Sequence, residues 1–179
     1  MANSTPLSSL LKIVAPLALA AVFSNGACAQ NGDNNKPWRL LCETNSCRVY
    51  SSAYASNGTV ISSISLKNAN ESDLFGVLTL PHGLHIPSGV TVEIDEKVSL
   101  QPNLIDCSKS YCRAMFGVSS QIIAALIDGK ELRVNIVDSG THKLVSIIYS
   151  LEGFNHSYEN FLQQINSTST IQLRPSISG

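Results

Sequence analysis

The chain has 179 residues, with 12 Lys and Arg against 13 Asp and Glu, for a formal net charge of −1. Charged residues make up 14%, against about a quarter in an average globular domain, so composition offers neither a basic face for nucleic acid nor an acidic tail. Ser, Thr and Asn carry the polarity instead, a pattern common in exported β-rich domains, and the length suits one domain with a real core.

Residues 1–29 read as a secretory signal peptide. Lys12 is the only charge before Asp33, and Ile13 to Phe23 is almost wholly apolar. That stretch is too short for a bilayer, which needs about 20 apolar residues. Ala27 and Ala29 then form the A-x-A exit that a signal peptidase accepts, so cleavage is expected after Ala29. Cys28 offers the competing reading of a lipid-bearing cysteine, but Asn25 stands where an apolar residue is expected three places before it. Loss of Lys12 with the leader takes the net charge from −1 to −2. No transmembrane segment is expected in the mature chain. Residues 30–37 form a polar, Gly- and Asn-rich lead-in with nothing to bury. Sequons at Asn3, Asn57, Asn70, Asn155 and Asn166 would matter only in a eukaryotic secretory pathway.

A single domain is expected over 38–166, followed by a loose tail over 167–179. Trp38 to Cys42 is a short apolar strand. Cys47 to Tyr54 and Thr59 to Leu66 flank Ser-Asn-Gly and predict a hairpin. Leu74 to Leu80 is a nearly continuous apolar run suited to a buried strand. In LPHGLHIPSG, Pro81 and Pro87 each stand two residues before a glycine, Gly83 and Gly89, predicting a shaped double turn. Val90 to Asp95 alternates, with Val90, Val92 and Ile94 on one face. A short strand around AMFGV follows Cys112. Ser119 or Ser120 caps a helix over Gln121 to Ile127, with Gly129 just past its end. Leu132 to Val137 and Lys143 to Leu151 form a second hairpin around Asp138-Ser-Gly-Thr. Ser157 is placed to cap a helix over Tyr158 to Ile165, with Phe161, Leu162 and Ile165 inward. The expected fold is mainly β, an antiparallel sandwich or barrel-like sheet with one or two short helices.

Five cysteines are present, and four remain once Cys28 is removed. In an exported chain they read as two disulfides. The local pairing, Cys42–Cys47 and Cys107–Cys112, closes small loops worth roughly 2 kcal/mol each, whereas a long-range pairing is worth roughly 4 kcal/mol each. Loop entropy therefore favours distant partners, while proximity favours the local staples, which form fastest; the local pairing is the expectation. Zinc fits poorly, since its sites favour C-x2-C spacing.

Catalytic signals are sparse. His82 and His85 form H-x2-H, a weak candidate metal pair with no nearby third ligand in sequence, and His142 and His156 are distant. No G-x-S-x-G elbow and no Gly-rich phosphate loop occur. Asp95, Glu96, Asp106 and Asp128 fall at strand ends or turns, where carboxylates are ordinarily solvated. No residue demands catalysis and no cofactor is called for.

Four stretches in order resemble the invasion-associated locus B family, exported proteins of alphaproteobacteria. They are WRLLC (Trp38 to Cys42), LPHGLHIPSGVTVEID (Leu80 to Asp95), CSKSYCRA (from Cys107) and SLEGF (Ser150 to Phe154). The resemblance covers about Trp38 to Leu162, with Tyr111 standing where the family has glycine. It implies two C-x4-C staples in an exported sandwich located in the periplasm, secreted, or on the outer-membrane surface. The implied role is non-enzymatic, supporting erythrocyte invasion or adhesion through a protein partner at the envelope or host surface. No catalytic residues carry over. The alternatives are an envelope-maintenance protein, a small-ligand or metal binder at His82 and His85, and a periplasmic hydrolase.

Overall fold

The computed structural model describes residues 37–43, 46–69 and 73–172. The leader expected over 1–29, Cys28, and residues 30–36 of the lead-in lie outside them, as do the sequons at Asn3 and Asn70 and residues 173–179 of the expected tail. Among the described residues ten strands form two antiparallel sheets. The larger sheet has the order β1 (Trp38–Glu43), β2 (Ser46–Tyr54), β3 (Val60–Asn68), β4 (Leu74–Pro81), β8 (Tyr111–Gly117), β7 (Asn103–Cys107). The smaller has β10 (Leu144–Ser150), β9 (Glu131–Val137), β5 (Val90–Ile94), β6 (Val98–Leu100). Among the described residues each sheet keeps two edges without a strand partner, so the fold is sandwich-like and not a closed barrel.

Strand alternation builds the core. Val49 and Ser51, Ile64 and Leu66, Leu78 and Leu80, and Cys112, Ala114 and Phe116 point inward from the larger sheet. Val90, Val92, Ile94, Leu132, Val134, Ile136, Ile147 and Tyr149 answer from the smaller. Both predicted hairpins form. Between β2 and β3, Gly58 takes φ 80° and the Asn57 Oδ1 accepts from the Thr59 amide at 3.0 Å. Between β9 and β10, Asp138 Oδ1 accepts from the Thr141 amide and hydroxyl, each at 2.7 Å. Strands β6 and β7 were not expected from sequence.

The helices differ from expectation at several points. Helix α1 (Ser120–Asp128) has Ser119 as its N-cap, its hydroxyl accepting from the Ile122 amide at 3.3 Å. Helix α2 runs Phe154–Gln172, much longer than Tyr158 to Ile165. It starts earlier because Gly153, at φ 80°, turns the chain so that the Phe154 amide reaches the Leu151 carbonyl. Ser157 lies inside the helix and does not cap it; its hydroxyl donates to the Trp38 carbonyl at 3.0 Å. Phe161 is fully buried and Ile165 partly so, whereas Leu162, expected inward, is exposed.

Two side-chain bonds join the layers. The Trp38 indole donates to the Ser150 carbonyl at 2.7 Å. The Tyr149 hydroxyl donates to Ser62 Oγ at 2.6 Å, and Ser62 in turn donates to the Thr79 carbonyl. Burial pushes the Tyr149 phenol's pKa up, and the Ser62 bond offsets this only in part. The fold therefore favours the protonated phenol. Its contribution is complete below the ordinary tyrosine pKa of about 10 and is lost as pH climbs past that value. Tyr149→Phe is expected to cost about 1 kcal/mol at neutral pH and to flatten the decline in denaturant midpoint between neutral and alkaline buffers. An unchanged alkaline slope in the variant would place that titration elsewhere.

The structure joins Cys42 to Cys47 and Cys107 to Cys112. Each pair occupies directly opposed positions of a hairpin, β1–β2 and β7–β8 respectively. In the second loop the Ser108 hydroxyl accepts from the Ser110 and Tyr111 amides and lies within bonding distance of the Tyr111 carbonyl. Tyr111 opens β8 in extended conformation with its ring exposed, so a side chain is accommodated where the family has glycine. Replacing Cys107 and Cys112 by alanine is expected to lower stability by about 2 kcal/mol without losing the fold. Chemical unfolding of the variant against the parent measures this.

Candidate functional site

Asp95 and Glu96 form the turn between β5 and β6, both with positive φ, 47° and 59°. Beside them is a shallow pocket of about 270 Å³ lined by Glu93, Asp95, Glu96, Glu131 and Arg133. The positions follow from register: Glu93 is opposite Arg133 across β5–β9, and outward residues of adjacent strands share a face. Four carboxylates thus surround one guanidinium.

Each of these groups already has a partner. The Asp95 carboxylate accepts from the Lys130 amide at 3.1 Å and the Glu131 amide at 3.0 Å. The Glu131 bond, then the Lys130 bond, hold its pKa below the usual carboxylate value. Arg133 donates to Glu131 at 2.6 Å and lies 3.5 Å from Glu96. Glu93 accepts from Asn135 at 3.1 Å. Asp95 therefore ties the β5–β6 turn to the start of β9. Asp106 is exposed, in keeping with the solvated reading, and Arg113 grips it through two nitrogens, Nε at 2.9 Å, which lowers its pKa.

The Leu80–Gly89 segment lies along the β9–β10 hairpin. The Ser139 amide donates to the Gly83 carbonyl and the His85 amide to the Val137 carbonyl, both at 2.8 Å. His82 is exposed, while His85 Nδ1 is 2.8 Å from Ser88 Oγ. The His85 ring meets the His142 ring edge-on, with centroids 5.0 Å apart, a pairing sequence separation concealed. Among the described residues no three His, Cys, Asp or Glu side chains are grouped to hold a metal ion.

The four quoted stretches meet in two pairs, the first with the last and the second with the third. Trp38, from the first, donates to Ser150 and packs edge-on against Phe154, both from the last, with ring centroids 5.0 Å apart. Leu80, opening the second, is paired with Cys112 of the third. These residues are joints of the sandwich.

A family model described as invasion associated locus B (IalB) protein matches residues 26–162. The chain belongs to the IalB family. Two invasion protein B homologs of Brucella abortus, from strain 2308 and from biovar 1 strain 9-941, are each 25% identical to it over 142 residues. Each match covers 76% of this chain and 82% of the relative. The crystal structure of invasion associated protein B from Bartonella henselae superposes with a TM-score of 0.67 at 19% identity, covering 72% of this chain and 93% of that one. The IalB sandwich is thus shared at low identity. Among the described residues no helix is long and apolar enough to cross a membrane.

Proposed function

We propose that this IalB protein is exported and acts without catalysis at the cell envelope or surface, supporting host-cell invasion or adhesion through contact with a protein partner. The observation that carries this reading is the pair of hairpin disulfides in a family of invasion-associated proteins, since such bonds persist in oxidising compartments. Further support comes from the residues themselves. The motif side chains are engaged in joining strands, and the pocket carboxylates are engaged by backbone amides, Arg133 and Asn135. The domain is taken as 38–166, behind a leader cleaved after Ala29.

Intact-mass spectrometry of the protein from a periplasmic fraction is expected to show a chain starting at Gln30 with no free thiol. Acyl chains on Cys28 would make it a lipoprotein, and four free thiols would overturn the exported assignment. For the role, a strain lacking the chain is expected to invade erythrocytes less than its complemented parent. Equal invasion would overturn the adhesion reading.

A further inference from the structure

Four strands form the sheet edges: β1 and β7 in the larger sheet, β10 and β6 in the smaller. Exposed edges are templates for further pairing, and proteins blunt them with short strands, charges, prolines or bulges. Three of these edges are blunted. Strand β6 has three residues, β7 carries a register shift and Asp106, and β1 carries Arg39 and Glu43. Strand β10 differs. It has seven residues, LVSIIYS, with no charge, no proline and an unbroken register against β9.

The available part of this edge is defined by hydrogen bonding. The Lys143 carbonyl accepts from the Asp138 amide, and the Leu151 amide donates to the Lys130 carbonyl. Odd-numbered positions therefore face β9, and alternation turns the backbone groups of Leu144, Ser146, Ile148 and Ser150 to the open side. The Ser150 carbonyl is occupied by the Trp38 indole. At the other end, His142 has φ 53° and bends the chain into its turn. Among the described residues the open segment is thus Leu144 to Ile148, and its midpoint is Ser146.

That segment is complementary to itself. An antiparallel copy related by a two-fold axis at Ser146 sets Leu144 opposite Ile148 of the second chain, and Ile148 opposite Leu144. The outward amides and carbonyls of all three even positions then face their equivalents in hydrogen-bonding register. Leu144 is 68% exposed and Ile148 54%, so both have apolar area to cover. The central Ser146 hydroxyl is directed to Asn135 Oδ1 at 2.6 Å. On the opposite face Val145, 41% exposed, comes beside Ile147 of the second copy. Neutrality along the segment favours a neutral strand, and closed two-fold pairing covers the edge in both chains.

We propose that β10 is a homodimer interface, through which two copies join their four-stranded sheets edge to edge about Ser146. The test combines mass, register and disruption in the purified, disulfide-bonded protein. Light scattering across a concentration series is expected to show the mass doubling. In a glutathione buffer, Ser146→Cys is expected to form a covalent dimer. Leu144→Cys alone is expected not to, yet to link readily when mixed with Ile148→Cys. Ile148→Lys is expected to remain monomeric with an unchanged far-ultraviolet spectrum. A monomer at every concentration, with Ser146→Cys linking no faster than Leu144→Cys, would overturn the proposal and leave a strand from another protein as the occupant. A dimer indifferent to Ile148→Lys would overturn it too, by placing the contact on another face.

Discussion

Replacing Trp38 by alanine is expected to lower the unfolding free energy by about 4 kcal/mol, the middle of the range for deleting a buried large aromatic. Trp38 is 1% exposed and packs edge-on against Phe154, which is itself fully buried. Its indole also holds the Ser150 carbonyl, and its own carbonyl accepts from Ser157 in α2. One residue therefore fastens the first strand to the last strand and to the final helix. Trp38→Phe separates these effects, because it keeps much of the ring contact and loses the indole donor. It is expected to cost about 1 kcal/mol for the bond, plus the area difference. Since Trp38 is the only tryptophan, its emission in the parent should be blue-shifted from that of the free amino acid. Denaturant unfolding followed by circular dichroism serves all three proteins. A loss below that expected for one hydrogen bond in Trp38→Ala would contradict the anchoring role.

Strands were legible in the sequence either by alternation or, as in Leu74 to Leu80, by a nearly continuous apolar run. Val90 to Ile94 alternates because Thr91 and Glu93 face outward, and that period is what a reader detects. Strands β6 and β7 gave no such signal. The first is three residues long, and only Leu104 of β7 packs against the core. Ser157 misled for a different reason. Its local position suits a cap, but the Trp38 carbonyl, 119 positions away in sequence, takes its hydroxyl. The open edge was hidden by composition. In Leu144 to Tyr149 both faces are apolar except at Ser146, so the pattern does not separate buried from open positions, and only Ile147 and Tyr149 are buried. The family-like stretches were legible because they are joints, where residue type is constrained by packing and backbone shape.

Gly129→Ala is the second large effect expected, about 3 kcal/mol, at the upper end of the range for overpacking a core. Position alone suggests a helix C-cap glycine chosen for positive φ. The structure gives Gly129 φ −80° and ψ 167°, which any residue adopts, so the requirement is for space. A Cβ there would lie 2.5 Å from the Ala125 carbonyl oxygen, 2.8 Å from Leu151 Cδ1 and 3.2 Å from Ile94 Cγ2. The first of these is helix backbone, and Leu151 and Ile94 are core side chains, so none can yield cheaply. The two explanations predict opposite orders. Asparagine tolerates left-handed backbone better than alanine does, so a conformational requirement would make Gly129→Asn the milder change. A spatial requirement makes Asn worse than Ala, because it adds atoms to an occupied volume. Gly117→Ala supplies the control, since a Cβ at Gly117 meets nothing within 4 Å and the change should be nearly neutral. Urea midpoints for the three variants decide the matter. Asn outperforming Ala at 129 would restore the conformational reading, whereas Ala milder than Asn and Gly117→Ala near the parent establishes that the end of α1 is closed by contact with the Ile94–Leu151 core.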